Sequence, residues 1–230
     1  MSRSANTMNG RIIDDPGPLP ELLDPPFFIN HPNIAHLPKE VTGGVLLESM
    51  RRRLGWPNYA GKRVLDYGCG IRLASTIANL GLEFGQYVGV DSNADYIDWL
   101  SKNLQEPRFA FARVDADNPL YRNGASPMTE VKTLPVEGPF DLACMFSVIT
   151  HQDPAEAQQI FHLLRPLASR LYFTALIKDI DGYREGKPDQ PRLLSEFSPA
   201  LLTKVLEITG WTVEQIYTPS HYQQHAVIAI

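Results

Sequence analysis

The spacing of hydrophobic residues predicts regular elements from about residue 43 onward. Apolar side chains first recur near the 3.6-residue helical period, and short apolar runs then alternate with further helical stretches. We predict helices over residues 43–54, 73–80, 94–104, 154–164 and 199–209, and strands over residues 63–67, 87–90, 109–114, 140–146 and 171–177. This alternation predicts an α/β fold in which a doubly wound, mostly parallel sheet carries helices on both faces.

The end of the chain departs from that alternation. Residues 211–217 and 226–230 are both strand-like, and only a short turn region around Pro219 separates them. Parallel neighbours need a connection of roughly a dozen residues or more. We therefore expect an antiparallel C-terminal hairpin, which brings the predicted sheet to seven strands.

Irregular sequence precedes and interrupts these elements. Prolines break every potential helix in residues 1–42, which we interpret as an irregular N-terminal arm. Residues 118–139 and 178–198 form long connections after the third and fifth strands, at the sheet edge where ligands bind in open α/β folds. We expect both connections to wall a substrate pocket, with Tyr121 and Tyr183 as candidate substrate-binding residues.

Length, composition and charge narrow the range of partners. The chain is long enough for one domain over residues 43–230 in addition to the arm, and its formal net charge of −5 argues against general affinity for nucleic acid or anionic membranes. No apolar run approaches the roughly 18 residues of a membrane span, and two cysteines are too few for a disulfide framework. The histidines show no metal-ligand clustering. We expect a cytoplasmic protein that binds no metal, with its oligomeric state open.

A glycine pair directly follows the first predicted strand, in the stretch VLDYGCG. Gly68 and Gly70 let the backbone approach a ligand closely, and the next helix offers unpaired N–H groups at its N-terminus. A dinucleotide-binding turn needs a third glycine at position 73, which is Leu73 here. The turn alone is therefore a weak indication of a nucleotide-like ligand.

Acidic residues stand at the ends of the second and third strands. Asp91 ends the run YVGVD and is placed to accept hydrogen bonds from two ribose hydroxyls, although it could instead cap the helix from Ala94. Asp115 is placed to accept from an adenine amine, with the backbone N–H of Ala116 donating to a ring nitrogen. A turn-forming role for Asp115 carries nearly equal weight.

Taken in order, the stretches VLDYGCG, YVGVDSN, RVDADNPLY and FDLACMFSVITHQ resemble the sequence motifs of class I S-adenosylmethionine-dependent methyltransferases. The resemblance covers roughly residues 43–230 and includes the closing antiparallel hairpin. It implies S-adenosylmethionine as the cofactor and an enzyme that transfers a methyl group.

The resemblance also assigns roles to individual residues. Asp66 would interact with the methionine amino group, Asp91 with the ribose and Asp115 with the adenine. The implied cofactor-binding set lies after the first four strands and comprises Asp66, Gly68, Cys69, Gly70, Asp91, Ser92, Asp115, Ala116, Phe146 and Ser147. Arg72 stands where the family usually has glycine, and it either crowds the cofactor or pairs with its carboxylate.

His151, in SVITHQD, is the best-placed general base for methyl transfer to a hydroxyl group. The alternative is that it caps or packs against the helix beginning at Pro154. The Asn/Asp-Pro-Pro-aromatic motif, which amino-methylating relatives use on nucleobases and Gln side chains, is absent after the fourth strand. Together with the acidic net charge, this argues against a DNA or RNA substrate, and a small molecule with a hydroxyl acceptor is our default expectation. Two other functions stay open, a methyltransferase-like binding module without catalysis and a nicotinamide-dependent oxidoreductase.

Overall fold

The computed structural model describes residues 36–117, 125–185, 194–219 and 223–230. Helix α1 comprises Lys39–Arg53 and therefore begins at Lys39 rather than at the predicted residue 43. Pro38 precedes it with φ −55° and ψ 147°, a position where the missing proline N–H costs no helical hydrogen bond. The predicted arm lies outside the described residues up to residue 35.

The remaining elements follow the predicted alternation closely. The helices are α2 (Arg72–Asn79), α3 (Ala94–Asn103), α4 (Pro154–Leu164) and α5 (Pro199–Ile208). The strands are β1 (Arg63–Tyr67), β2 (Gln86–Asp91), β3 (Phe109–Arg113), β4 (Leu142–Met145), β5 (Leu171–Ile177), β6 (Tyr183–Arg184), β7 (Glu196–Phe197), β8 (Val213–Ile216) and β9 (His225–Ala229).

Side-chain caps explain where two of the helices after the sheet strands begin. The Asn93 side chain accepts from the backbone N–H groups of Asp95 and Tyr96 at the start of α3. At α4, Asp153 and Glu156 form a reciprocal capping box, and Pro154 occupies the first helical position. Such caps stabilise a helix start by about 1 kcal/mol each. The start of α3 is thereby fixed directly after β2, and the start of α4 is fixed after the turn that follows β4.

The central part of the sheet is parallel and places β1 in its middle. The strand order is β3-β2-β1-β4-β5, and neighbouring strands in this part run in the same direction. In this register Asp66 lies beside Gly89 of β2 and Cys144 of β4. The carboxyl ends of β1 to β4 therefore meet at one edge of the sheet, as the predicted fold requires.

One edge of β5 carries two partners in succession. Residues Leu171–Ala175 pair with β9 in the antiparallel sense, and β8 pairs antiparallel with β9. Beyond them Leu176 and Ile177 pair in parallel with β7, which pairs in turn with β6. The mostly parallel sheet and the closing hairpin are thus confirmed. The strands β6 and β7 add to the seven predicted ones.

Apolar residues pack against both faces of the sheet. On the face covered by α4 and α5, the Trp211 indole donates to the Phe161 carbonyl at 2.9 Å, and the rings of Phe161 and Phe173 lie 5.1 Å apart. On the other face, Tyr59 stacks on Phe84 at 4.4 Å. Within the described residues, no helix has both the length and the hydropathy to cross a membrane.

Candidate functional site

A cleft opens at the carboxyl edge of strands β1 to β4. The space inside the cleft, counted together with the open solvent at its mouth, is about 750 Å³. Residues from the turns after all four strands line it, together with one residue of the connection that follows β3. They are Tyr67, Gly68, Gly70, Asp91, Ser92, Val114, Ala116, Asp117, Met128, Phe146, Ser147, Val148, His151 and Gln152.

The glycine turn after β1 is tied to the end of β2. The backbone N–H groups of Gly68 and Cys69 both donate to the Val90 carbonyl, at 2.8 and 3.1 Å. Gly68 has φ +71° and Gly70 has φ +48°, conformations that side chains other than glycine rarely adopt. A Cβ on Gly68 would lie 2.4 Å from Cγ2 of Val148. This turn therefore needs glycine for its conformation and, at Gly68, for space.

Asp91 joins the glycine turn to the start of the next helix. Its Oδ2 accepts from the Gly70 N–H at 2.8 Å and its Oδ1 from the Asn93 N–H at 2.9 Å. Burial raises the pKa of Asp91, and these backbone hydrogen bonds, with one from Ser92, oppose that rise. Each carboxylate oxygen has a further lone pair, so Asp91 can still accept hydroxyl protons from the cleft. The cap of α3 is Asn93, which removes the alternative role considered for Asp91.

Asp66 lies beneath the cleft rather than in its wall. Its carboxylate is 2% exposed and accepts from the Tyr87 hydroxyl at 2.5 Å. Burial raises the pKa of Asp66 to about 7, although hydrogen bonds from Tyr87 and Cys144 lower it in part. The Cys69 side chain is also buried, over Gly89, where a Cβ would meet its sulfur at 2.9 Å. The roles expected of both residues toward a cofactor stay predictions.

The acidic segment after β3 is arranged differently from the expectation. The Asp115 side chain is 80% exposed and faces Arg113 at 3.9 Å, outside the cleft. Ala116 and Asp117 line the cleft instead. Oδ1 of Asp117 is buried and accepts no hydrogen bond from any described part of the chain. An unpartnered buried carboxylate oxygen is costly unless a ligand donates to it.

The turn after β4 forms the opposite wall of the cleft. Ser147 has φ +59°, its N–H donates to Oγ1 of Thr174 at 2.8 Å, and its hydroxyl pairs with the Gln224 side chain. The next residues form a 3-10 turn, Ile149–His151, which brings His151 to the cleft. Phe146 lines the same wall and packs against Tyr172 at 5.6 Å between ring centres. Phe146, Ser147 and His151 thus meet the predicted cofactor residues Gly68, Gly70, Asp91, Ser92 and Ala116 in one cleft.

Of the two candidate substrate residues, Tyr121 lies outside the described residues and Tyr183 lies within them. The Tyr183 hydroxyl shares a hydrogen bond of 3.1 Å with Ser195, and its ring packs on Phe197, in the small β6–β7 pair. Tyr183 therefore supports the strands beside the cleft, and its substrate role stays a prediction. Of the 118–139 connection, Met128 does line the cleft and accepts from the Tyr67 hydroxyl at 3.2 Å.

Sequence reasoning missed six of the lining residues. These are Tyr67, Val114, Asp117, Met128, Val148 and Gln152. Tyr67 and Val114 end predicted strands, so their position was a usable signal. Met128 belongs to the 118–139 connection, which was expected to wall the pocket, but no local pattern predicts which of its residues reaches the cleft. Arg72 is the first residue of α2 and half-buried, and it is not among the lining residues. In the described ranges, no cluster of three or more His, Cys, Asp or Glu side chains could hold a metal ion.

Comparison with known sequences identifies a family. The sequence profile described as "Methyltransferase domain" matches residues 43–216, about three quarters of the chain. No curated protein is a significant sequence match.

Solved structures with the same fold are distant in sequence. Magnesium protoporphyrin IX methyltransferase from Synechocystis, with S-adenosylmethionine bound, is 18% identical, with 83% of this chain and 78% of that chain covered and a TM-score of 0.53. A 1,6-didemethyltoxoflavin N1-methyltransferase from Burkholderia thailandensis, with S-adenosylhomocysteine bound, is 19% identical over 83% and 77%, with a TM-score of 0.51. An S-adenosylmethionine-dependent methyltransferase from Leishmania major is 16% identical over 82% and 72%, with a TM-score of 0.58. At this identity the likeness establishes the fold, which is the Rossmann-like methyltransferase fold.

Proposed function

The chain belongs to the methyltransferase family, and we propose that it transfers a methyl group from S-adenosylmethionine to a hydroxyl oxygen of a small molecule. S-adenosylmethionine is the methyl donor of this family. The observation that carries the proposal is the meeting of the glycine turn, Asp91 and His151 in one cleft. Cys69 and Cys144 are free and buried, which supports a cytoplasmic location.

The residues of the cleft fit this donor. Gly68 and Gly70 offer backbone without side chains, and no atom of the described residues lies within 4 Å of the position that a Cβ on Gly70 would take. Asp91 is fixed by backbone donors and retains acceptor capacity for a ribose diol. Asp117 presents a buried oxygen without a partner among the described residues. Glycine backbone, diol acceptor and base-edge acceptor thus follow β1, β2 and β3 in that order.

Three observations support a small-molecule acceptor. The site is a concave cleft, and residues of the turn after β4 line it together with Met128 of the 118–139 connection. Two of the structural neighbours are named for small acceptors, a magnesium porphyrin and a demethylated toxoflavin. The chain also carries a net charge of −5, which disfavours nucleic acid.

When bound, S-adenosylmethionine supplies a methyl group that the positive charge on sulfur has already activated. The chain then has two tasks, to align the acceptor with the carbon–sulfur bond and to take up the hydroxyl proton. In such a transfer the C–O bond would form as the C–S bond breaks, and sulfur would keep the electron pair. We assign the proton to the imidazole of His151. The turn of Phe146 and Ser147 would border the methionine end of a bound donor and position the acceptor.

His151 is held for this task by its backbone. Its N–H donates to the Val148 carbonyl at 2.9 Å, which closes the 3-10 turn, and the α4 capping box fixes the chain immediately after it. Because Asp153 caps α4, the cap role considered for His151 is filled by another residue. The ring is half-buried in the cleft wall, where it can meet both an acceptor and solvent.

Because the chain matches the methyltransferase family model, we reject the alternative of a nicotinamide-dependent oxidoreductase. A measurement of turnover tests the remaining alternative, a binding module without catalysis. We expect purified protein to convert S-adenosylmethionine to S-adenosylhomocysteine in the presence of a panel of small phenols, alcohols and amines. We expect methylated products from the hydroxyl compounds. Transfer to amines alone would contradict the hydroxyl assignment.

Substitution of His151 tests its role. With an active hydroxyl acceptor, His151→Ala should lower kcat by roughly 10²–10⁴-fold, the usual contribution of a positioned base, and abolish the acid limb of the pH–rate profile. His162→Ala is a matched control, because His162 is an exposed histidine near the end of α4. It should leave kcat and the pH profile unchanged. Unimpaired turnover by His151→Ala would reject the assignment of the base.

A further inference from the structure

The turn after β4 holds a residue in an uncommon backbone conformation. Ser147 lines the cleft with φ +59°, and Gln223, with φ +57°, is the other non-glycine residue of the described ranges whose φ is positive. This conformation is unfavourable for a residue with a side chain, and it persists only where the surrounding contacts hold it. The contacts of Ser147 therefore determine where this wall of the cleft lies.

Two side chains hold Ser147, one from β5 and one from the residue before β9. Oγ1 of Thr174, in β5, accepts from the Ser147 N–H at 2.8 Å. The Gln224 amide lies against the Ser147 hydroxyl, with Nε2 at 2.9 Å and Oε1 at 3.2 Å from Oγ. Gln224 directly follows Gln223, so the two left-handed residues lie at the two ends of one contact. The antiparallel hairpin that closes the sheet thereby reaches the cleft wall.

The position of Ser147 is passed on to His151 by the short turn between them. The Thr150 hydroxyl donates to the Ser147 carbonyl at 2.9 Å, and the His151 N–H donates to the Val148 carbonyl at 2.9 Å. Thr150 is fully buried, and its own carbonyl accepts from the Ser195 N–H at 2.7 Å. Because these bonds join neighbouring residues of one turn, a shift of Ser147 moves His151 with it.

Thr174 and Gln224 are half-buried, and neither is among the residues that line the cleft, so they act on it through Ser147. We propose that both are positioning residues for methyl transfer, which hold Ser147 in its left-handed conformation and thereby set the distance from His151 to the acceptor hydroxyl. The inference rests on the methyl transfer proposed above. A misplacement of about 1 Å caused by a residue outside the chemistry can lower a rate by about 100-fold.

The hydroxyl of Thr174 is tested with a matched set of variants. Thr174→Val has a similar volume but cannot accept from the Ser147 N–H, whereas Thr174→Ser keeps the hydroxyl. Thr209→Val is the control, because Thr209 is buried and its hydroxyl also makes a hydrogen bond, to the Val205 carbonyl at 3.1 Å, in a helix that does not line the cleft.

Turnover and donor binding are measured separately. kcat is measured with S-adenosylmethionine and the hydroxyl compound of the panel that wild type methylates fastest. The Kd of S-adenosylhomocysteine is measured by calorimetry, and the same titration gives the concentration of folded sites by which each rate is divided. A variant with a reduced folded fraction therefore still gives a valid kcat.

We expect Thr174→Val to lower kcat by about tenfold or more, while the Kd of S-adenosylhomocysteine changes by less than about threefold. The donor affinity should persist because the backbone bonds of the glycine turn and Asp91 do not involve Thr174. Thr174→Ser should keep kcat within about threefold of wild type. Thr209→Val should lower the free energy of unfolding but leave kcat unchanged.

Gln224 is tested through its coupling to Ser147. Gln224→Met keeps the length of the side chain but removes the amide, and it should lower kcat by about fivefold or more. In a Ser147→Ala background the same change should lower kcat by less than about twofold, because the hydroxyl that Gln224 contacts is then absent. Gln215→Met, at an exposed position of β8, is the control and should leave kcat unchanged.

The inference is overturned if Thr174→Val lowers kcat by less than about tenfold, if its donor Kd changes by about threefold or more, or if Thr174→Ser is as slow as Thr174→Val. Equal effects of Gln224→Met with and without the Ser147 hydroxyl would also overturn it. Failure of wild type to methylate any hydroxyl compound is a distinct result, because it would contradict the proposed methyl transfer itself together with the positioning roles built on it.

Discussion

The two sides of the cleft are built in different ways. The proposed methyl-donor side, which follows β1, β2 and β3, is held mainly by backbone groups: Gly68 and Cys69 donate to Val90, and Gly70 donates to Asp91. The proposed methyl-acceptor side, which follows β4 and β5, is held by contacts between distant parts of the sequence. The Ser147 side chain pairs with that of Gln224, 77 positions away, and the backbone N–H of Ser195 donates to the Thr150 carbonyl.

From this difference we expect the proposed donor side to be general and the proposed acceptor side to be specific for its substrate. Backbone geometry set by glycines and strand ends can bind the same donor in many sequences, whereas contacts between distant side chains change with the loops that supply them. We therefore expect substitutions on the donor side to change stability and affinity for S-adenosylhomocysteine. Substitutions on the acceptor side should change turnover, as the His151 experiment measures.

The largest effect is expected beneath the donor side, at Asp66. In the folded protein burial raises its pKa from 3.8 to about 7. The folded state therefore holds a proton that the unfolded state releases between these values, and the free energy of unfolding should fall as pH rises from about 4 to 7. The loss attributable to Asp66 is at most about 4 kcal/mol, at 1.36 kcal/mol for each pKa unit.

Denaturant unfolding of wild type and Asp66→Asn at pH 4.5, 6 and 7.5 measures the pH-dependent contribution of Asp66 to the free energy of unfolding. The asparagine keeps an acceptor for the Tyr87 hydroxyl but does not titrate, so its stability should fall less with pH. Asp115→Asn is the matched control, since it removes an exposed carboxylate and should follow wild type. Parallel pH curves for wild type and Asp66→Asn would show that Asp66 is ionised in the folded protein throughout.

A second, smaller effect is expected where the two sides touch, at Gly68 and Val148. Gly68→Ala introduces a Cβ at 2.4 Å from Val148 and a side chain at φ +71°, so we expect a loss of about 2–4 kcal/mol in the free energy of unfolding. Gly70→Ala has a positive φ but no described atom within 4 Å of its Cβ, and should lose about 1–2 kcal/mol.

The double variant separates the two causes. Val148→Ala removes the obstructing methyl group, so Gly68→Ala should be less costly in that background and approach the cost of Gly70→Ala. Urea unfolding of the four-membered cycle measures the coupling energy. If Gly68→Ala lowers the free energy of unfolding by the same amount with and without Val148, the contact between the introduced Cβ and Val148 does not contribute to that loss.

The difference between local backbone geometry and contacts between distant residues also determines which features the sequence could predict. Strands β1 and β5 have the predicted bounds, because each is a short, mainly apolar run bordered by polar or turn residues. The glycine turn and Asp91 were also predictable, since local conformation and strand ends determine them. Strands β6 and β7 were missed because each has two residues and forms only through pairing with β5 and with each other.

Asp115 and Asp117, the two aspartates after β3, show where prediction from the sequence stops. The stretch VDAD shows two acids near the strand end, but the strand stops at Arg113, and strict alternation gives no orientation beyond it. The bond from the Asp117 N–H to Ser126, across a connection, turns Asp117 toward the cleft. Such a contact between separated residues is invisible to any local pattern.

The most direct test of the account is a calorimetric titration of S-adenosylhomocysteine into wild type and Asp91→Ala, with folding of the variant checked by its thermal transition. Asp91 is the side chain that joins the glycine turn to β2 and accepts toward the cleft. We predict binding by wild type and at least a 100-fold weaker affinity for the folded variant. Equal affinities in two folded proteins, or no binding by wild type, would contradict the assignment of this cleft as the methyl-donor site.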